Sequence, residues 1–177
     1  DYINAGIYTS GANTVYFNAG GAQTVNAGGA DDANTDFNNV EINNSSAVQL
    51  VTTNCEVDGT FTVTDTSTFD MNDLSLHLGG NLQIDNGSGW TGSDDGADVL
   101  RLEGNLNVTD NNGTADDLGD TEIDGGVTVT QLTHIQVRDL NITAGDTLNS
   151  NGQNLYVSAD YINAGIYTSG ANTVYFN

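Results

Sequence analysis

The sequence predicts an all-β fold, a parallel β-solenoid (β-helix) with about three short strands per coil of ~21 residues. Three observations predict it. Apolar–polar–apolar triplets recur along the chain, among them Val40-Glu41-Ile42, Phe61-Thr62-Val63, Leu82-Gln83-Ile84, Leu106-Asn107-Val108 and Val127-Thr128-Val129. That alternation is the period of a strand with one buried face. The triplets return at a near-constant interval. No stretch sustains a 3.6-residue period, so no substantial helix is expected.

The interval sets the coil. A first column runs Val15, Val40, Phe61, Leu82, Leu106, Val127, Leu148 and Val174, at steps of 25, 21, 21, 24, 21, 21 and 26 residues. Two residues before each member stand Asn13, Asn38, Gly59, Gly80, Gly104, Gly125, Asp146 and Asn172. Gly, Asn and Asp tolerate left-handed backbone, so a corner is expected there. A second column holds Val48/Leu50, Phe69/Met71, Trp90, Leu132 and Leu155/Val157. A third holds Cys55/Val57, Leu76/Leu78, Leu100/Leu102, Ile123, Leu140/Ile142 and Ile162. Three columns are three faces of one stacked coil. Parallel crossovers default to a right-handed coil. At the strand spacing, seven coils would rise roughly 34 Å. An antiparallel sandwich also has many short strands, but it offers no constant interval and no coherent Gly/Asn/Asp column.

Residues 1–18 and 160–177 both read DYINAGIYTSGANTVYFN, at an offset of 159. The expectation is one continuous solenoid over 1–177. Its repeat unit is 1–159, and 160–177 begins the next identical unit. The rival is a discrete subunit whose two ends carry the same strands for end-to-end docking.

Composition narrows the partners. The chain has 22 Gly, no Pro, 24 acidic residues and a net charge of −22, with Arg101 and Arg138 its only Lys or Arg. Neutralising phosphates needs Lys and Arg, so nucleic acid is excluded as a partner, and anionic membrane surfaces with it. The charge favours solubility, repulsion between rods and attraction of cations. No apolar run reaches the ~18–20 residues of a membrane span, and no signal peptide is visible. Cys55 is the only cysteine. It forms no internal disulfide, and its alternation with Val57 places it inward as an inert core thiol. His77 and His134 read as outward-facing surface residues without zinc-ligand spacing.

Two segments carry a family resemblance. They are Ala12-Asn13-Thr14-Val15-Tyr16-Phe17-Asn18-Ala19-Gly20-Gly21-Ala22-Gln23-Thr24-Val25 and Asp36-Phe37-Asn38-Asn39-Val40-Glu41-Ile42-Asn43. With Gly59-Thr60-Phe61-Thr62-Val63 and Gly80-Asn81-Leu82-Gln83-Ile84, they resemble the repeats of bacterial β-strand-repeat, filamentous-haemagglutinin-like (adhesin-like) surface solenoids. The resemblance covers nearly the whole chain in style and about 30 residues in detail. It implies a secreted or cell-surface protein and carries no catalytic residues across. The chain departs from that pattern in its heavier load of Asp.

The Asp load is clustered. Asp31, Asp32 and Asp36 form one acidic triad, Asp94, Asp95 and Asp98 a second, and Asp116, Asp117 and Asp120 a third, each between predicted strands. Calcium takes 6–8 oxygen ligands, which such loops can supply, although none has EF-hand or nonapeptide spacing. The competing reading is a solvated acidic loop. No cofactor is required. Glycosylation sequons stand at Asn43, Asn44, Asn86, Asn107, Asn112 and Asn141, so surface glycans are a second class of partner. A polysaccharide-active β-helix enzyme is a minor alternative. Carboxylates are plentiful, but sugar platforms are few and the two Arg stand apart. Ice binding would use Thr-x-Thr rows, but Asn81/Gln83 and Asn105/Asn107 interrupt Thr60/Thr62 and Thr128/Thr130. The function expected is structural and non-enzymatic: an extracellular filament whose main partner is itself, end to end. The stalk of a surface adhesin, with its binding tip elsewhere, is the alternative.

Overall fold

The computed structural model describes residues 1–4, 8–28, 37–94 and 96–177. Among them the chain winds as an all-β parallel solenoid of about eight turns, and every strand ladder is parallel. No helix occurs among the described residues.

Three faces alternate along the chain. The first face stacks β2 (Thr14–Phe17), β4 (Asn39–Ile42), β7 (Phe61–Val63), β10 (Leu82–Ile84), β13 (Leu106–Asp110), β15 (Thr128–Gln131), β18 (Thr147–Asn149) and β21 (Ile166–Thr168). The second stacks β1 (Tyr2–Ile3), β3 (Ala22–Asn26), β5 (Ala47–Leu50), β8 (Thr68–Asp70) and β11 (Gly89–Thr91). It resumes as β16 (Ile135–Val137), β19 (Leu155–Val157) and β22 (Val174–Phe176). One rung joins its two parts. Gly92 donates its N–H to the Asp117 carbonyl, and Asp117 bridges Gln136. The third face stacks β6 (Cys55–Val57), β9 (Leu76–Leu78), β12 (Leu100–Leu102), β14 (Thr121–Ile123), β17 (Leu140–Ile142) and β20 (Tyr161–Asn163), and Phe37 bridges Val57.

Alternation makes the core. In β6, β7, β12, β14, β16, β17 and β19 the two outer residues are buried and the middle one is partly exposed. Parallel stacking sets like above like. The third face runs Val57–Leu78–Leu102–Ile123–Ile142 in one inward row. Burial of such rows stabilises by ~25 cal/mol per Å² of apolar surface removed from water. Cys55 is buried, as its alternation predicts. Aromatic rings fill part of this core. Phe61, Phe69 and Trp90 meet at centroid distances of 4.8, 4.9 and 5.6 Å.

The first column needs a correction in register. Val15, Val40, Phe61 and Leu82 stack as expected. Leu82 then pairs with Val108, Leu106 with Val129, and Leu148 with Tyr167. The first two slips are by two residues, so inward residues stay inward, whereas Val174 leaves the first face and pairs with Leu155 on the second. Two further members are displaced by parity. Val129 and Gln131 are the inward residues of β15, which turns Leu132 outward to 43 % exposure. Tyr161 aligns with Leu140, so Ile162 falls in the outward row beside Asn141.

The glycine column works differently from the expectation. Of its eight members only Gly125 has a left-handed φ, at 106°. At Gly80 the constraint is contact: a Cβ there would collide with the Gly59 backbone. Left-handed residues recur at the corner between the first and second faces, at Asn44-Ser45, Asp65-Thr66 and Gly87, and others stand between the second and third faces at Thr52 and Asn72-Asp73. Each of the first three turns ends in a buried serine: Ser46, Ser67 and Ser88. The Ser46 N–H donates to Ser67 Oγ at 3.2 Å, so short hydroxyls stitch one corner to the next.

Candidate functional site

The sequence nominates the acidic loops. Asp31, Asp32, Asp36 and Asp95 lie outside the described residues. The other five fall around one stretch of the second face, where its regular strands are interrupted. Asp98 accepts a hydrogen bond from Ser75 Oγ at 3.1 Å, which ties it to the coil before. Asp120 is buried and held by Arg138, whose Nη1 lies 2.6 and 2.8 Å from its two oxygens. Gly96 also donates its N–H to Asp120 at 2.8 Å, so the second and third acidic loops are fastened together. Asp94 and Asp117 line a groove of about 350 Å³ with Arg138. Asp120 is therefore paired with a guanidinium that shares its groove with Asp94 and Asp117. Among the described residues, no group of three His, Cys, Asp or Glu side chains is placed to hold a metal ion.

Asp110 is a buried partner that sequence reading passed over. It extends the inward parity of Leu106 and Val108, and sits in register with Ile84. Its carboxylate accepts the backbone N–H groups of Asn112 at 2.9 Å and Asp116 at 2.6 Å. An inward acid is tolerated because it anchors the loop that follows. Asp116 in turn accepts from Asn112 Nδ2 at 3.0 Å. Burial, then the neighbouring Asp110 charge, push the Asp116 carboxyl from 3.8 up to about 6, against opposing hydrogen bonds from the Trp90 backbone and Asn112.

That shift gives a signed expectation. The folded state holds the Asp116 proton more tightly than the unfolded chain does. Its contribution is complete below pH ~4 and is lost as pH rises through ~6. Asp116→Asn keeps an acceptor without the charge. The variant should match the parent chain at pH 4 and exceed it at pH 7.5 by roughly 1 kcal/mol, discounted for a half-exposed group. Paired thermal melts at the two pH values measure it. An equal difference at both would refute the assignment.

Beside this loop lies a groove of about 540 Å³ between Asn111–Ala115 and the outward side chains Thr133, His134, Gln136 and Tyr156. His134 is exposed, as expected, and its Nδ1 accepts the Asn154 N–H at 2.9 Å. Tyr156 stacks on Tyr175 at 4.7 Å and 6°. The groove offers amides, hydroxyls and an aromatic face, which is chemistry for holding polar molecules. The signal in the sequence was weak: two tyrosines 19 residues apart at outward parity.

No known family model, curated protein or solved structure matches the chain.

His77 corrects another expectation. It faces outward, yet it is 3 % exposed. Glu56 and Arg101 flank it on adjacent rungs, and its Nδ1 lies 3.2 Å from Glu103. Arg101 Nε lies 3.0 Å from Glu122 on the next rung. The long side chains of the stacked row close over the imidazole. This outward ladder of Glu56, His77, Arg101 and Glu122 is visible only once the coils are in register.

Proposed function

We propose that the chain is a structural subunit or tandem-repeat segment of an extracellular filament or cell-surface fibre, built by end-to-end continuation of the solenoid. One observation carries this reading. Phe176 continues the inward row Val137–Val157, whose members are fully buried, yet Phe176 is 64 % exposed. Its counterpart in the identical first block, Phe17, is 4 % exposed because Ile42 of the following coil pairs with it. The same block thus carries at both places a row that a following coil can cover, as Ile42 covers Phe17. A further coil would complete the row and pair the open backbone edge, which otherwise invites association.

The chemistry of the surface fits a fibre. A net charge of −22 on one chain opposes side-by-side clumping, and the acidic exterior keeps rods apart or lets divalent cations bridge them. The cell-surface setting rests on the resemblance of the Gly-x-Phe-x-Val and Gly-x-Leu-x-Ile rungs to bacterial surface solenoids. The reading assigns no catalysis. Electron microscopy of the purified material should find long, thin, unbranched rods with a rung spacing of about 4.8 Å. Compact single particles at every concentration would sink the proposal. Rods that each bear one distinct end domain would favour the adhesin stalk instead.

A further inference from the structure

The two identical blocks do not occupy equivalent places. In the first block, Tyr2 lies on the second face against Val25, and Val15 on the first face against Val40. In the second block, Tyr161 lies on the third face against Leu140, and Val174 on the second face against Leu155. The chain visits the faces in the order first, second, third. Both landmarks have therefore advanced by one face, in the same sense.

The advance can be counted twice. From Tyr2 the second face runs β1, β3, β5, β8, β11, the Asp117 bridge, β16 and β19, which is seven coil steps, and β20 lies one face further. From Val15 the first face runs β2, β4, β7, β10, β13, β15, β18 and β21, again seven steps, and β22 lies one face further. One 159-residue unit is thus seven and one-third coils, where the sequence columns suggested seven.

The block is built to accept both settings. Its inside and outside are the same in each. Tyr2 and Tyr161 point inward, while Ile3 and Ile162 point outward at 75 % and 58 % exposure. Val15 and Phe17 pair with inward Val40 and Ile42, and Val174 and Phe176 with inward Leu155 and Val157. Tyr16 and Tyr175 both face out. The first block is paired with the coil after it, and the second with the coil before it. Merging the two settings gives one block paired on both sides, with no change of face at Tyr2, Ile3, Val15, Tyr16 or Phe17.

We infer that successive units join with a one-face step, so that the second face of one unit runs into the first face of the next, and the third into the second. This rests on the tandem continuation proposed above, with a second copy of this chain as the partner. The loop at 111–115 and the groove beside it then wind around the rod as a one-start helix with three units per turn. Three units make 22 coils, so the pattern returns after about 106 Å, against about 35 Å per unit. No side of the fibre is left smooth or uncharged. That arrangement opposes flat lateral packing and presents the same groove in three directions.

Helical reconstruction of the filaments tests it, with a chain of three tandem 159-residue units as the specimen if the single chain stays short. The expected result is a rise of about 35 Å per unit with the 111–115 loop displaced by one third of a turn each time, beyond any smooth coil-to-coil twist. Rods in which that loop recurs on one face in every unit would overturn the face step and leave the filament reading intact. A tandem chain that forms separate particles at the unit boundaries would overturn the filament reading, and the face step with it.

Discussion

Phe69→Ala should lower stability by about 3–5 kcal/mol, the range for deleting a fully buried aromatic side chain. Phe69 is 2 % exposed and touches two other rings, Phe61 at 4.8 Å and Trp90 at 4.9 Å. Removing it takes the centre out of a three-ring cluster that fills consecutive coils. Neighbouring backbone cannot close the gap, because parallel ladders from β5 to β8 and from β8 to β11 fix the coil spacing. A chain of this length loses about 2–4 °C of Tm per kcal/mol, so the midpoint should fall by roughly 6–20 °C. Position matters as well as size. Each coil of a solenoid contacts only its neighbours, so the damage should be local. Hydrogen exchange should accelerate most in β5, β8 and β11 and least in β17 to β19. Phe69→Leu, which keeps most of the volume, should cost under half as much. Uniform loss of protection along the rod, or a cost below 1 kcal/mol, would contradict this account of the core.

The legibility of the fold follows from what alternation can and cannot encode. Inward residues were readable because most strands show one buried and one wetter side, as in Cys55-Glu56-Val57 or Leu140-Asn141-Ile142. The stacking order was readable while coils kept one length, through Phe61 and Leu82. It failed where loops lengthened. A slip of two residues leaves every side chain on its own side, so the pattern at Leu106 and Val108 cannot say which of them meets Leu82. The face step of the repeated block was hidden for the same reason. Its apolar positions suit any face, and only the hydrogen-bonded register shows which one they occupy.

The candidate site was less legible, because its members are joined across coils rather than along the chain. Asp120 reads as one acid in a loop, yet 18 residues later Arg138 reaches back to neutralise it. Asp110 reads as the polar end of a strand, and it holds the next loop by two backbone N–H groups. His77 reads as decoration, and its burial depends on Glu56 and Arg101 being its rung neighbours. Each of these facts needs the register first.

The glycine corner makes the sharpest demand on the chain. Gly80→Val should destabilise by more than about 3 kcal/mol, although Val is a good strand residue elsewhere in this protein. Gly80 has no left-handed φ, so torsional strain is not the cause. The cause is space. A Cβ at Gly80 would fall within contact of the Gly59 backbone, whose Cα is only 2.8 Å from the added atom. That neighbour is main chain, so it cannot rotate away as a side chain could. Relief requires the two coils to part, which strains the bond from the Gly79 N–H to the Val57 carbonyl at 2.9 Å and that from Phe61 to Asn81 at 2.8 Å. Breaking buried backbone bonds adds about 1–3 kcal/mol per orphaned group. Even Gly80→Ala should therefore be costly. The control is Gly113→Ala, where φ is not left-handed and nothing lies within 4 Å of the added carbon. That change should stay within about 0.5 kcal/mol of the parent. Denaturant titration of the three variants separates contact from intrinsic glycine flexibility. If Gly80→Ala and Gly113→Ala cost the same, close packing of coil on coil is not what fixes glycine at that corner.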